Sequence, residues 1–172
     1  MPVFQGEPFA PVFTAEQRMS VLEQLARELA EDTVNGPVIF EIPFQPPDKF
    51  DVLVVWDAWE PFSSEDRGNI ILDAYKDRKP STNIAQALGV THQEAIEQQV
   101  LPYTVIPMVR QGEVEPEVLK RAMIAEGGIA LANGKVDLRF PTMAFAEKAH
   151  RRLSDKLPKG YWSIIQTVAS NL

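Results

Sequence analysis

Apolar and polar positions along the chain predict an α+β fold organised around one segment, Lys49 to Tyr75. In its first half Phe50, Val52, Val54 and Trp56 fall on one face of a strand, with Asp51, Leu53, Val55 and Asp57 on the other. The middle of that second face is apolar as well, which predicts a central strand covered on both sides. Ser63 or Ser64 then caps a helix over 64–77, whose Ile70, Ile71, Ala74 and Tyr75 can fold back onto the strand.

Upstream, Phe4, Phe9 and Phe13 alternate with prolines at 2, 8 and 11. That spacing predicts an extended arm over residues 1–13. Exposed phenylalanines would promote aggregation, so the arm is expected to lie in a groove of its own subunit or a neighbour's. Thr14 and Gln17 make a capping box for a helix with Val21, Leu22, Leu25 and Leu29 on its apolar side. Asn35-Gly36 and Pro37 end it, and Val38–Ile42 follows as a strand antiparallel to the one after Lys49.

Residues 82–100 read as two short helices broken at Gly89-Val90. Tyr103–Arg110 reads as a strand that Pro107 confines to a sheet edge or a bulge. A helix over Pro116–Glu126 stops at Gly127-Gly128, and a hairpin through Asn133-Gly134 joins Ile129–Leu131 to Val136–Phe140. Thr142 caps the last helix, with Phe145, Ala149, Leu153 and Leu157 inward, before a final strand in YWSIIQTV. We expect antiparallel sheet with helices packed mainly on one face, in a compact body over 14–172. The order helix, strand, strand, helix, strand occurs twice, which makes 14–112 and 113–172 candidate pseudo-repeat halves.

Composition narrows the function classes. The 172 residues include no cysteine, which removes disulfides, thiolate nucleophiles and cysteine metal sites. The two histidines, His92 and His150, sit in no ligand motif, so neither metal nor cofactor is expected. GxxxxGK[ST], GxGxxG and GxSxG are all missing, which lowers the expectation of catalysis. The N-terminal residues lack a basic region before an apolar core, and no apolar run suits a membrane helix; a cytoplasmic protein is expected. The net charge of −7 is uneven, with eleven acids against three bases in residues 1–62 and seven against nine in 113–172.

Three constellations remain as candidate sites. The turn Trp56-Asp57-Ala58-Trp59-Glu60 sets two carboxylates among two indoles, and apolar walls raise carboxyl pKa values. Asp57 and Glu60 are therefore the candidate catalytic pair, and Trp56 and Trp59 the candidate ligand-binding residues. The bland alternative is that the indoles complete a core while the acids favour a helix N-terminus.

Ile84-Ala85, Leu88-Gly89-Val90-Thr91 and Ala95-Ile96 together resemble the core of bacterial helix-turn-helix proteins. The family's later aliphatic position falls on Ala95, with Ile96 one place off. The resemblance implies a helix pair whose second helix presents His92, Gln93, Glu94, Glu97 and Gln98 and no base. Phosphate would repel that surface, so a structural connector is expected and nucleic acid is disfavoured there.

Third, Lys148, Arg151, Arg152 and Lys156 make the final helix the basic surface of the chain. The expected function is a non-catalytic binding or assembly module, using Phe4, Phe9 and Phe13 or that basic helix on a protein partner or a second copy. An enzyme or small-ligand binder at the Trp56–Glu60 turn is the first alternative. Nucleic-acid binding through the basic helix is the second.

Overall fold

A computed structural model of the protein describes residues 13–31, 36–44, 48–78, 83–108, 112–157 and 161–167. The fold is mixed α and β, and the chain divides into two compact units, Met1–His92 and Gln93–Leu172.

The first unit opens with α1 (Ala15–Glu31), started by the predicted capping box. Thr14 N donates to Gln17 Oε1 at 2.8 Å, and Gln17 N returns a bond to Thr14 Oγ1 at 3.1 Å. Strands β1 (Val38–Phe44) and β2 (Lys49–Val55) form the antiparallel pair, with Phe40 opposite Leu53. A single 3₁₀ turn, Asp57–Trp59, leads to α2 (Ser64–Tyr75). Ser63 is the cap, its Oγ accepting from Asp66 N at 3.2 Å. Helices α1 and α2 bury Val21, Leu25, Ile70, Ile71 and Tyr75 with Val52 and Val54 of β2, while Leu53 and Val55 are buried on the other face. The strand is central and covered on both sides, as its pattern requires.

The segment after α2 corrects the predicted helix pair over 82–100. Residues Ile84–Val90 are a strand, β3, lying parallel to β2, and only His92–Glu97 is helical, as α3. Helix formers such as Ala85, Gln86, Ala87 and Leu88 give way to tertiary pairing, because β2 offers a whole edge of unsatisfied backbone groups. Gly89, the glycine of the helix-turn-helix resemblance, is needed for close packing instead. A Cβ there would lie 2.9 Å from Arg67 Cβ and 3.1 Å from the Trp59 indole.

Tyr75 ties α2 to β1. Its hydroxyl donates to Glu41 Oε1 at 3.0 Å. Burial first, then the charge of Glu41 and that hydrogen bond, holds the phenol well above its ordinary value near 10. An unfolded chain ionises this tyrosine at about pH 10, whereas the folded chain resists, so its contribution is complete below that pH and is lost above it. Tyr75→Phe should therefore unfold in urea with a shallower decline between about pH 9 and about pH 11.5 than the wild type. Parallel curves for the two proteins would rule this linkage out.

In the second unit, β4 (Tyr103–Pro107) is the middle strand of a sheet ordered β7-β4-β8, where β7 is Arg139–Phe140 and β8 is Trp162–Gln166. This corrects the edge placement inferred from Pro107. The proline costs nothing because β7 pairs only with Tyr103 and Thr104, so the position that lacks an N–H lies beyond its end. Helix α4 (Pro116–Ala125) is followed by a two-stranded pair, β5 (Ile129–Ala130) with β6 (Val136–Asp137). The run predicted as one strand over Val136–Phe140 changes sheets at Leu138, whose carbonyl accepts from Val105 N at 2.9 Å. Helix α5 (Met143–Lys156) is capped by Thr142 and buries Ala146, Ala149 and Leu153. The first unit runs α1-β1-β2-α2-β3, whereas the second places three strands, β5, β6 and β7, between α4 and α5; β3 lies directly beside β2, but β4 separates β7 from β8.

Candidate functional site

The Trp56–Glu60 turn is knit into the first unit through its backbone and indoles. Trp56 N donates to the Val90 carbonyl at 2.9 Å, and its ring meets Trp59 edge-on with centroids 5.5 Å apart. Trp59 is 0% exposed and its Nε1 donates to the Val54 carbonyl at 3.2 Å. Beneath the turn lies a buried cation that sequence inspection passed over. Arg67 Nε donates to the carbonyls of Trp59 at 3.1 Å and Phe62 at 2.8 Å, and Nη1 to that of Gly89 at 3.1 Å. Its position on the inward face of α2 was a signal, since an arginine among Ile70, Ile71 and Ala74 must find partners inside.

Asp57 and Glu60 are both exposed at this turn. Asp57 Oδ1 accepts from His92 N at 3.0 Å, which satisfies the first N–H of α3. Of the four residues singled out here, Trp59 is sealed in the core, Trp56 is half-buried, and Asp57 has a helix-end task. Among the described residues no three His, Asp or Glu side chains converge as a metal ion would require.

Phe13 packs on Phe62, with ring centroids 4.5 Å apart, and so rests on the core of its own unit. Phe4 and Phe9 lie outside the described residues.

The basic helix is less basic than its sequence suggests. Arg152 Nη1 lies 3.5 Å from Glu126 Oε2, and Lys156 Nζ lies 3.3 Å from Glu126 Oε1. Glu126 stands at the end of α4 with its side chain only 6% exposed, so both cations are committed to a carboxylate that is nearly out of solvent. Lys148 and Arg151 are exposed and form no ion pair among the described residues.

Beside Arg151 the second unit has a groove of about 510 Å³ between α5 and β8, lined by Glu147, His150, Arg151, Trp162, Ser163 and Ile164. His150 Nε2 donates to the Trp162 carbonyl at 3.0 Å, and a carbonyl can only accept, so Nε2 carries the proton. The Trp162 indole N–H is buried without an acceptor among the described residues.

Strand β8 borders the groove with an edge that no other strand pairs with among the described residues. Met108 N donates to the Tyr161 carbonyl and Thr167 N to that of Pro102, which makes Pro107–Trp162 and Tyr103–Gln166 wide pairs of the antiparallel ladder. By alternation Ser163 and Ile165 bond to β4, while the backbone groups of Trp162, Ile164 and Gln166 turn away from it. His150 occupies one of these, the Trp162 carbonyl. Ile164 presents the N–H and C=O at the centre of the edge, and no further strand pairs with β8 among the described residues. Its sequence, WSIIQ, contains neither the charge nor the proline that commonly blunts such an edge. Glu147, His150 and Trp162 were not picked out as a group from sequence, because a twelve-residue separation between His150 and Trp162 gives no local signal.

The chain matches no family model, no curated protein and no solved structure. Among the described residues no helix is long and apolar enough to cross a membrane.

Proposed function

We propose that this chain is a non-catalytic binding module that receives an extended segment of a partner protein along β8, in the groove beneath α5. The open Ile164 edge carries this reading. A segment laid against it gains main-chain hydrogen bonds from a strand already held in place by β4, the economy by which sheet edges recruit peptides. The groove beside that edge supplies apolar contact from Trp162 and Ile164 and polar contact from Glu147, His150 and Arg151. The unpartnered Trp162 N–H represents a deficit of about 1–3 kcal/mol, which a carbonyl of the bound segment would relieve.

A proline scan tests the mode of binding. The Ile164 N–H points away from β4, so Ile164→Pro should leave the sheet intact while removing the central donor from the edge. We expect it to weaken binding of a fluorescein-labelled, capped peptide of alternating valine and threonine by roughly tenfold, about 1.4 kcal/mol. Ile165→Pro removes a donor to β4 and should unfold the sheet instead. Unaltered anisotropy titrations for a folded Ile164→Pro protein would sink the strand-addition mode.

A further inference from the structure

The rim of the groove specifies what the bound segment must carry. Glu147 and Arg151 both line it, both are exposed, and neither forms an ion pair among the described residues. They stand four residues apart on α5, so their Cα atoms are separated by about 6 Å along the helix axis. Alternate side chains of an extended strand project from one face about 6.6–6.8 Å apart. One turn of the helix therefore matches one two-residue step of a strand lying beside it.

We infer that the partner segment carries one acidic and one basic side chain two positions apart, the acid opposite Arg151 and the base opposite Glu147. The inference rests on the strand-addition reading above and adds to it the order of charges along the segment. The chemistry is that of an acid–x–base or base–x–acid stretch in extended conformation, whichever order the strand direction sets. The Nε2–H of His150 is not offered to the acid, because the Trp162 carbonyl holds it. Arg152 and Lys156 do not compete either, since Glu126 holds both. Lys148 is exposed on the same helix but does not line the groove. Any attraction between Glu147 and Arg151 themselves is an i,i+4 contact on an exposed helix face, weak enough for a ligand to displace.

The test uses the full chain and three capped, fluorescein-labelled peptides of one length and one valine–threonine background. The first carries Glu-x-Arg at its centre, the second Arg-x-Glu, and the third Gln-x-Gln. Each is titrated by anisotropy against the wild type, the exchanged double variant Glu147→Arg/Arg151→Glu, and Ile164→Pro. The wild type should prefer one charge order over the other by roughly three- to tenfold, the preference shrinking as salt is added. The exchanged variant should invert that preference.

If the charged peptides bind with no order preference, or with one that the exchange leaves in place, the inference is overturned and strand addition stands. If no peptide binds, or Ile164→Pro binds all three like the wild type, strand addition fails and takes the inference with it. Sedimentation of the chain alone covers the remaining occupant. A dimer that Ile164→Pro dissolves would assign the edge to a second copy and would also overturn the inference.

Discussion

Arg67→Met is expected to remove about 3–5 kcal/mol from the first unit, lowering its urea midpoint by roughly 2 M. Methionine keeps much of the apolar stem but has no donor to give. The carbonyls of Trp59, Phe62 and Gly89, which now accept from the guanidinium at 2.8–3.1 Å, would lose it together. Each buried acceptor left without a donor costs about 1–3 kcal/mol, and three share the same vacancy. Those carbonyls belong to the 3₁₀ turn, the entry to α2 and the end of β3, so one side chain secures three elements. Native-state amide exchange reads the effect locally. Residues 52–55 should lose protection, while 103–107 in the second unit keep theirs. A loss below about 1 kcal/mol would mean that water replaces the guanidinium, and that Arg67 does not fasten the turn.

Gly128→Val should destabilise the second unit by roughly 3 kcal/mol. A Cβ at this position would lie 2.6 Å from Val136 Cγ1 and 2.8 Å from the Met123 carbonyl oxygen. Valine 136 has a rotamer to yield, but the Met123 carbonyl has little freedom. It accepts from Glu126 N at 3.1 Å and from Gly128 N at 2.9 Å, bonds that close the end of α4. A β-branched side chain at 128 must therefore open that helix end or push β6 away. Glu126 sits in the same turn, so its grip on Arg152 and Lys156 should loosen as well. Amide exchange should rise across residues 123–137 and leave 52–55 unaltered. Normal protection of the α4 end in the variant would contradict this account.

Much of the fold is legible in single residues whose chemistry acts over short range. Thr14 with Gln17, Ser63, and Thr142 each begin a helix where a hydroxyl can meet an exposed N–H, and Asn133-Gly134 turns the β5–β6 hairpin. The alternation from Phe50 to Val55 marks a strand buried on both faces because both of its periodic sets are apolar. What escapes such inspection depends on partners distant in the chain. Ala85 to Leu88 has the composition of a helix, and only the waiting edge of β2 makes it a strand. Pro107 marks an edge by itself, and the shortness of β7 is what permits it in a middle strand. The same division holds for the candidate sites. The cations of α5 are visible in sequence, but Glu126, some thirty residues away from Lys156, decides which of them remain available. The α5–β8 groove depends on how the last strand docks, which no local pattern reports.

The place of β4 in the second unit has a consequence for biosynthesis. Tyr103–Pro107 leaves the ribosome well before Arg139–Phe140 on one side and Trp162–Gln166 on the other. Until those segments emerge, its main-chain donors and acceptors face solvent or a chaperone along both margins, beside the apolar Val105. The second unit can therefore assemble its sheet only once Trp162–Gln166 has been synthesised, whereas the β1–β2 hairpin is free to close early.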